Sequence, residues 1–151
     1  MQPLLVWLPL GLIFMIILYT DIKSRTISDY LVVGGLVYFV ALHLFVHPGE
    51  IGNYIVGMLI GAAPFYLIAL ITNGAVGGGD IKIMAVIGIA LGWAPTILYV
   101  VSVFILHIFV STALLLTRKV QKGHKIPLSP ILALSGVLVC LLTLNSVQNT
   151  F

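Results

Sequence analysis

The sequence predicts an all-α integral membrane protein, a bundle of about six transmembrane helices with both termini outside. Three observations carry that prediction. Of 151 residues, 61% are hydrophobic and only 7% are charged, and the mean hydropathy is +1.23. A soluble domain carries roughly a quarter charged residues, so this chain lacks the polar groups to cover a globular surface. The apolar residues gather into segments close to the roughly 20 residues that a spanning helix needs. The basic residues fall in alternate connections, which is the pattern of an oriented membrane bundle.

The segments run approximately over 4–20, 30–47, 52–72, 81–94, 96–117 and 128–147. The first has no preceding basic residue and no small-residue cleavage site after it, so it reads as a span and not as a signal peptide. The second opens at Ser28-Asp29, and capping of orphan N–H groups is the first explanation for Asp29. It also holds Gly34-Gly35, and the third holds Gly57 and Gly61 at GxxxG spacing; both pairs are expected to let helices pack closely. The fourth is short and ends at the Gly92-Trp93-Ala94-Pro95 break, with Pro95 suited to the first turn of the fifth. Cys140 lies alone in the sixth, which leaves no internal disulfide and no thiolate metal cage. No repeat or linker divides residues 1–151, which read as a single domain.

Charge placement orients the bundle. Lys23 and Arg25 follow the first segment, Lys82 begins the fourth, and Arg118, Lys119, Lys122 and Lys125 follow the fifth; these are all seven Lys and Arg residues. The second connection holds Glu50 and no base. The positive-inside rule therefore puts connections one, three and five in the cytoplasm. The net charge of +3 is accounted for by these boundary residues, with no sign of a nucleic-acid partner.

Four acids exist: Asp21, Asp29, Glu50 and Asp80. Glu50 reads as a solvated outer-loop charge. Asp21 ends the first segment and Asp80 begins the fourth, so both stand at the cytoplasmic boundary. Four glycines in the nine residues Thr72 to Asp80 disfavour helix before Asp80. Irregular backbone at that depth needs protein or water to satisfy it, which suggests a small pocket with close backbone approach. The competing reading is a flexible turn with Asp80 as N-cap of the fourth segment. Paired aspartates suit peptide hydrolysis: one ionised carboxylate activates water while a protonated partner polarises the carbonyl. That chemistry needs no metal or cofactor. His43 and His47, four residues apart near the outer end, read as interfacial packing. Lys82 cannot simply pair with Asp80, two residues away on a helix; it reads as a topology signal, with support of the loop or substrate as a second role. A proton or ion pathway is the rival from another class, although acids at the boundary and the lack of repeated halves disfavour it.

Gly77-Gly78-Gly79-Asp80-Ile81-Lys82 matches the G-x-G-D-x-K pattern of type IV prepilin peptidases. The stretch Asp21 to Asp29 resembles that family's first-aspartate segment, and Ile126-Pro127-Leu128-Ser129-Pro130-Ile131-Leu132-Ala133 resembles its C-terminal motif. The resemblance spans nearly the whole chain, with three motifs in order. It implies an aspartyl endopeptidase of the bacterial or archaeal cytoplasmic membrane, with Asp21 and Asp80 catalytic and Gly77, Gly79 and Lys82 supporting. The implied partners are membrane lipids and prepilin-like precursors, whose short basic leader is cut from a hydrophobic helix, commonly after a glycine. A relative that no longer cuts is the alternative within the family. Ser28-Asp29 stands where the family has Pro-Asn. The four-cysteine insertion of bifunctional members is missing, so the resemblance is to the compact, peptidase-only form without N-methyltransferase activity.

Overall fold

A computed structural model describes residues 2–24, 28–73, 76–116 and 129–148. They form α1 (Gln2–Ser24), α2 (Asp29–Val46), a 3-10 turn (Pro48–Glu50), α3 (Ile51–Ile71), α4 (Gly78–Leu91), α5 (Trp93–Leu116) and α6 (Ser129–Gln148). The basic connection between α5 and α6, Arg25 and the Ile126-Pro127-Leu128 part of the third motif lie outside the described residues. The chain is an all-α membrane protein. Its lipid-compatible character is visible on the outside, where Leu8, Met15, Val37, Leu59, Ile105, Phe109 and Leu141 stand exposed. Soluble monomers rarely expose apolar surface on that scale. Asp29–Val46, Pro48–Ile71 and Trp93–Ala113 are long and apolar enough to cross a bilayer.

The centre of the bundle is α4. Its 14 residues rise only about 21 Å, short of the roughly 30 Å of a hydrocarbon core. Such a helix is stable in a membrane when its neighbours enclose it. Ile83, Met84, Val86, Ile87, Gly88, Ile89 and Ala90 are all buried, and α1, α2, α3 and α5 all pack against it. A helix apolar on every side belongs in such a core.

The tightest seam joins α3 to α4. A Cβ on Gly57 would collide with the Gly88 carbonyl oxygen and with the Gly92 backbone, and one on Gly88 would collide with Gly57 in return. A Cβ on Gly61 would meet the Met84 carbonyl oxygen. The GxxxG spacing therefore serves close helix contact, as expected, and its partner surface is α4. The Gly34-Gly35 pair divides. Gly35 is buried against Val86 and Ile13, whereas Gly34 faces open space. It borders an apolar groove of about 290 Å³ between α1 and α2, which Pro9, Leu12, Tyr30 and Tyr38 also line.

The α4–α5 junction is sharper than the sequence suggested. The helices are separated by Gly92 alone, at φ +79°, a left-handed conformation that glycine adopts without strain. The Asn53 side-chain oxygen accepts the Trp93 N–H at 3.1 Å, and the Thr96 hydroxyl donates to the Gly92 carbonyl at 2.6 Å. Pro95 falls in the first turn of α5, where its missing N–H costs nothing. Asn53→Ala is expected to lower thermal stability by about 1 kcal/mol, the usual worth of a cap, measurable as an earlier melting transition. The Tyr99 hydroxyl ties α5 to α6 by donating to the Leu132 carbonyl at 2.7 Å.

Candidate active site

Helix direction fixes where the two sequence-predicted aspartates stand. The Tyr38 hydroxyl of α2 donates to the Leu5 carbonyl of α1 at 3.1 Å, while Gly35 faces Ile13; α1 and α2 are antiparallel. Asp29 meets Lys82 and Gly35 meets Val86, so α2 and α4 run together. Hence α1 and α4 are antiparallel, with Ile13 and Val86 level on either side of Gly35. Asp21 lies eight residues beyond Ile13 and Asp80 six residues before Val86. At the helical rise these are displacements of about 12 Å and about 9 Å in the same direction. The backbone thus holds Asp21 and Asp80 at one end of the bundle, within about a helical turn of each other in depth. Asp21 sits inside α1, which continues to Ser24 instead of ending at residue 20. Its side chain lies outside the described residues.

The turn that carries Asp80 is better ordered than a glycine loop. Gly77 is the N-cap, and α4 begins at Gly78, three residues earlier than the apolar pattern indicated. Asp80 is therefore the third helical residue and not the N-cap. The amides of Asp80 and Ile81 both donate to the Gly77 carbonyl, at 3.1 and 3.4 Å. The Asp80 carboxyl folds back over Gly77, its Oδ2 3.2 Å from where a Cβ would stand. Gly77 thus leaves the space that the carboxyl occupies. An acid in the first turn also faces the positive end of the helix dipole. Gly78 has open space around its missing side chain, and Gly79 is half-buried in the same turn.

Lys82 and Asp29 behave differently from expectation. Lys82 has a partner that neither of its readings names: its Nζ donates to Asp29 Oδ1 at 2.5 Å. Asp29 is the first residue of α2, behind Ser28 as N-cap, and no side-chain capping bond is made there. Its carboxylate turns to α4 instead. The sequence carries one signal for this partnership, since two opposite charges stand at one membrane boundary. Ion pairs between helices depend on which faces meet, and the sequence did not give that.

At the opposite end, His43 is buried and stacks on Tyr54 with ring centroids 3.4 Å apart. Among the described residues no three His, Cys, Asp or Glu side chains gather as a metal site.

Residues 8–117 match the type IV leader peptidase family. The chain is also 32% identical, over 135 residues, to a Bacillus subtilis (strain 168) protein named prepilin leader peptidase/N-methyltransferase. That alignment takes in 85% of this chain and 52% of the relative, so the chain spans about half the relative's length. No solved structure matches.

Proposed function

Because the chain belongs to the type IV leader peptidase family, we propose that it is a membrane-embedded aspartyl endopeptidase that removes the short basic leader from prepilin-like precursors. The observation that carries this reading is the common depth of Asp21 and Asp80 at one end of an apolar bundle. In the reaction, one carboxylate takes a proton from water as its oxygen attacks the scissile carbonyl carbon. The other, protonated, carboxyl hydrogen-bonds the carbonyl oxygen as negative charge develops there. Collapse of the tetrahedral intermediate breaks the C–N bond, and the leaving nitrogen takes up a proton from the acid member. Two acids sharing one proton meet both requirements without a metal.

The boundary carrying the aspartates also carries Lys23 and Lys82, and on this reading it is the cytoplasmic one, with both termini outside. A leader-bearing precursor suits that depth, since its scissile bond lies where a basic leader gives way to a membrane helix. Lipids surround the exposed apolar helix faces. Gly77 and Gly79 keep the Asp80 turn compact, and residues 1–151 act as one peptidase unit in the cytoplasmic membrane.

The test uses the purified chain in lipid with a synthetic precursor bearing a basic leader, a glycine junction and an apolar helix. One new N-terminus at the leader–helix boundary is expected, unchanged by a metal chelator. No cut, or a cut that chelation abolishes, contradicts the reading. Gly77→Ala is expected to slow cleavage a few-fold, because a Cβ there must push the Asp80 carboxyl by a few tenths of an ångström and the rate is sensitive to the placement of a reacting group. Its membrane accumulation should stay normal, and wild-type turnover would show that the Asp80 carboxyl does not need the Gly77 space.

A further inference from the structure

Three glycines, Gly77 to Gly79, cap and open the first turn of α4. Gly78 and Gly79 offer no side chains for packing, and Gly77 as N-cap makes no side-chain capping bond. Yet this turn presents Asp80, whose height and rotation decide whether it can act with a second group. Lys82 lies in the next turn and reaches across to Asp29 at the start of α2. Successive residues of a helix are about 100° apart around its axis, so positions 80 and 82 are about 200° apart. With Lys82 drawn onto α2, the Asp80 position is turned off the α2 face. This contact thereby ties the start of α4 to the start of α2, beside the packing against α3 that fixes the helix as a whole.

We infer that Asp29 and Lys82 form a positioning pair that holds the Asp80 turn of α4 against the first turn of α2. The inference rests on the peptidase reading for its catalytic consequence, but not for its structural one. Asp29 and Lys82 are positioning residues: they act through the backbone of the turn and not on the substrate. Their side chains are 73% and 51% exposed, and exposed ion pairs contribute little to folding. Loss of the pair should therefore be felt in Asp80 placement and hardly in the amount of folded protein. The carboxylate at position 29 makes the contact an ion pair instead of a neutral hydrogen bond.

The experiment compares Asp29→Ala, Lys82→Met, Asp29→Asn and the charge exchange Asp29→Lys with Lys82→Asp, each as the full chain in lipid. The two neutralising variants are expected to lower kcat about tenfold, with KM within about twofold of wild type. Asp29→Asn keeps an acceptor oxygen and should restore most of the rate, and the exchange should recover activity over either single change. Hydrogen exchange at the Asp80 and Ile81 amides supplies a readout that does not need catalysis. Both amides rest on the Gly77 carbonyl, and their protection should fall when the pair is broken. Wild-type kcat in both neutralising variants, a loss confined to KM, or an exchange no better than the single variants overturns the inference. Unchanged amide protection overturns it whatever the activity. If the wild-type chain fails to cut while protection still falls on breaking the pair, the peptidase reading fails and the positioning pair stands.

Discussion

Asp80→Asn and Asp21→Asn are each expected to slow cleavage of a leader-bearing precursor by about 10²–10⁴-fold, the usual worth of a positioned acid or base. Asn has nearly the shape of Asp but can neither accept the proton of the attacking water nor donate one to the leaving nitrogen. The two groups work in one step, so the double variant should be little slower than either single one. Both variants should accumulate in the membrane at normal levels. Asp80 lies at a helix start, where Asn is also tolerated, and the core around α4 begins only at Ile83 and Met84. Quantifying precursor and product beside total membrane protein checks both parts. Near-normal cleavage by either variant would remove that residue from the site. A channel or proton pathway in place of a peptidase would leave no cleavage to lose.

The largest structural effect is expected at the α3–α4 seam. A Cβ at Gly57 or Gly88 meets carbonyl and Cα atoms of the facing helix, and no rotamer change can clear backbone. Gly57→Leu and Gly88→Leu must push the two helices apart, which also uncovers Met84 and its neighbours. Overpacking a well-packed core usually costs 1–3 kcal/mol where side chains can yield. Here about 3 kcal/mol or more is expected, a large share of the 5–15 kcal/mol of a typical fold. Poor accumulation and early aggregation on heating should follow. Gly34→Ala and Gly78→Ala are the controls, because a Cβ at either meets nothing within 4 Å. They should be neutral, or slightly stabilising through lower backbone entropy in the unfolded chain. Equal behaviour of the four variants would mean that α3 and α4 do not approach as described.

The fold was legible because its signals are local. Long apolar runs and alternating basic loops gave six helices, each within a few residues of its observed span. The errors lie where packing decides. Composition predicts a loop at Gly78 and Gly79, because glycine disfavours helix. They are helical because Gly77 supplies the N-cap carbonyl to two following amides. The broad break before Pro95 narrows to Gly92, since Asn53 and Thr96 satisfy the polar groups beside it. Of the candidate site, the common depth of Asp21 and Asp80 could be read from charge order alone. The Asp29–Lys82 contact could not, because it depends on the rotation of α4 against α2. Likewise, GxxxG spacing announced a close contact without naming α4 as the partner.

The central claim is that Asp21 and Asp80 act together, and proximity of the two positions tests it most directly. In a Cys140→Ser background, Asp21→Cys combined with Asp80→Cys should be joined rapidly by a short bifunctional thiol reagent in native membranes. Asp29→Cys combined with Lys82→Cys serves as the positive control, since those side chains touch. Linkage of the 21/80 pair at a rate comparable to the control is the predicted result. Efficient linkage of the control with none of the 21/80 pair would contradict a shared site.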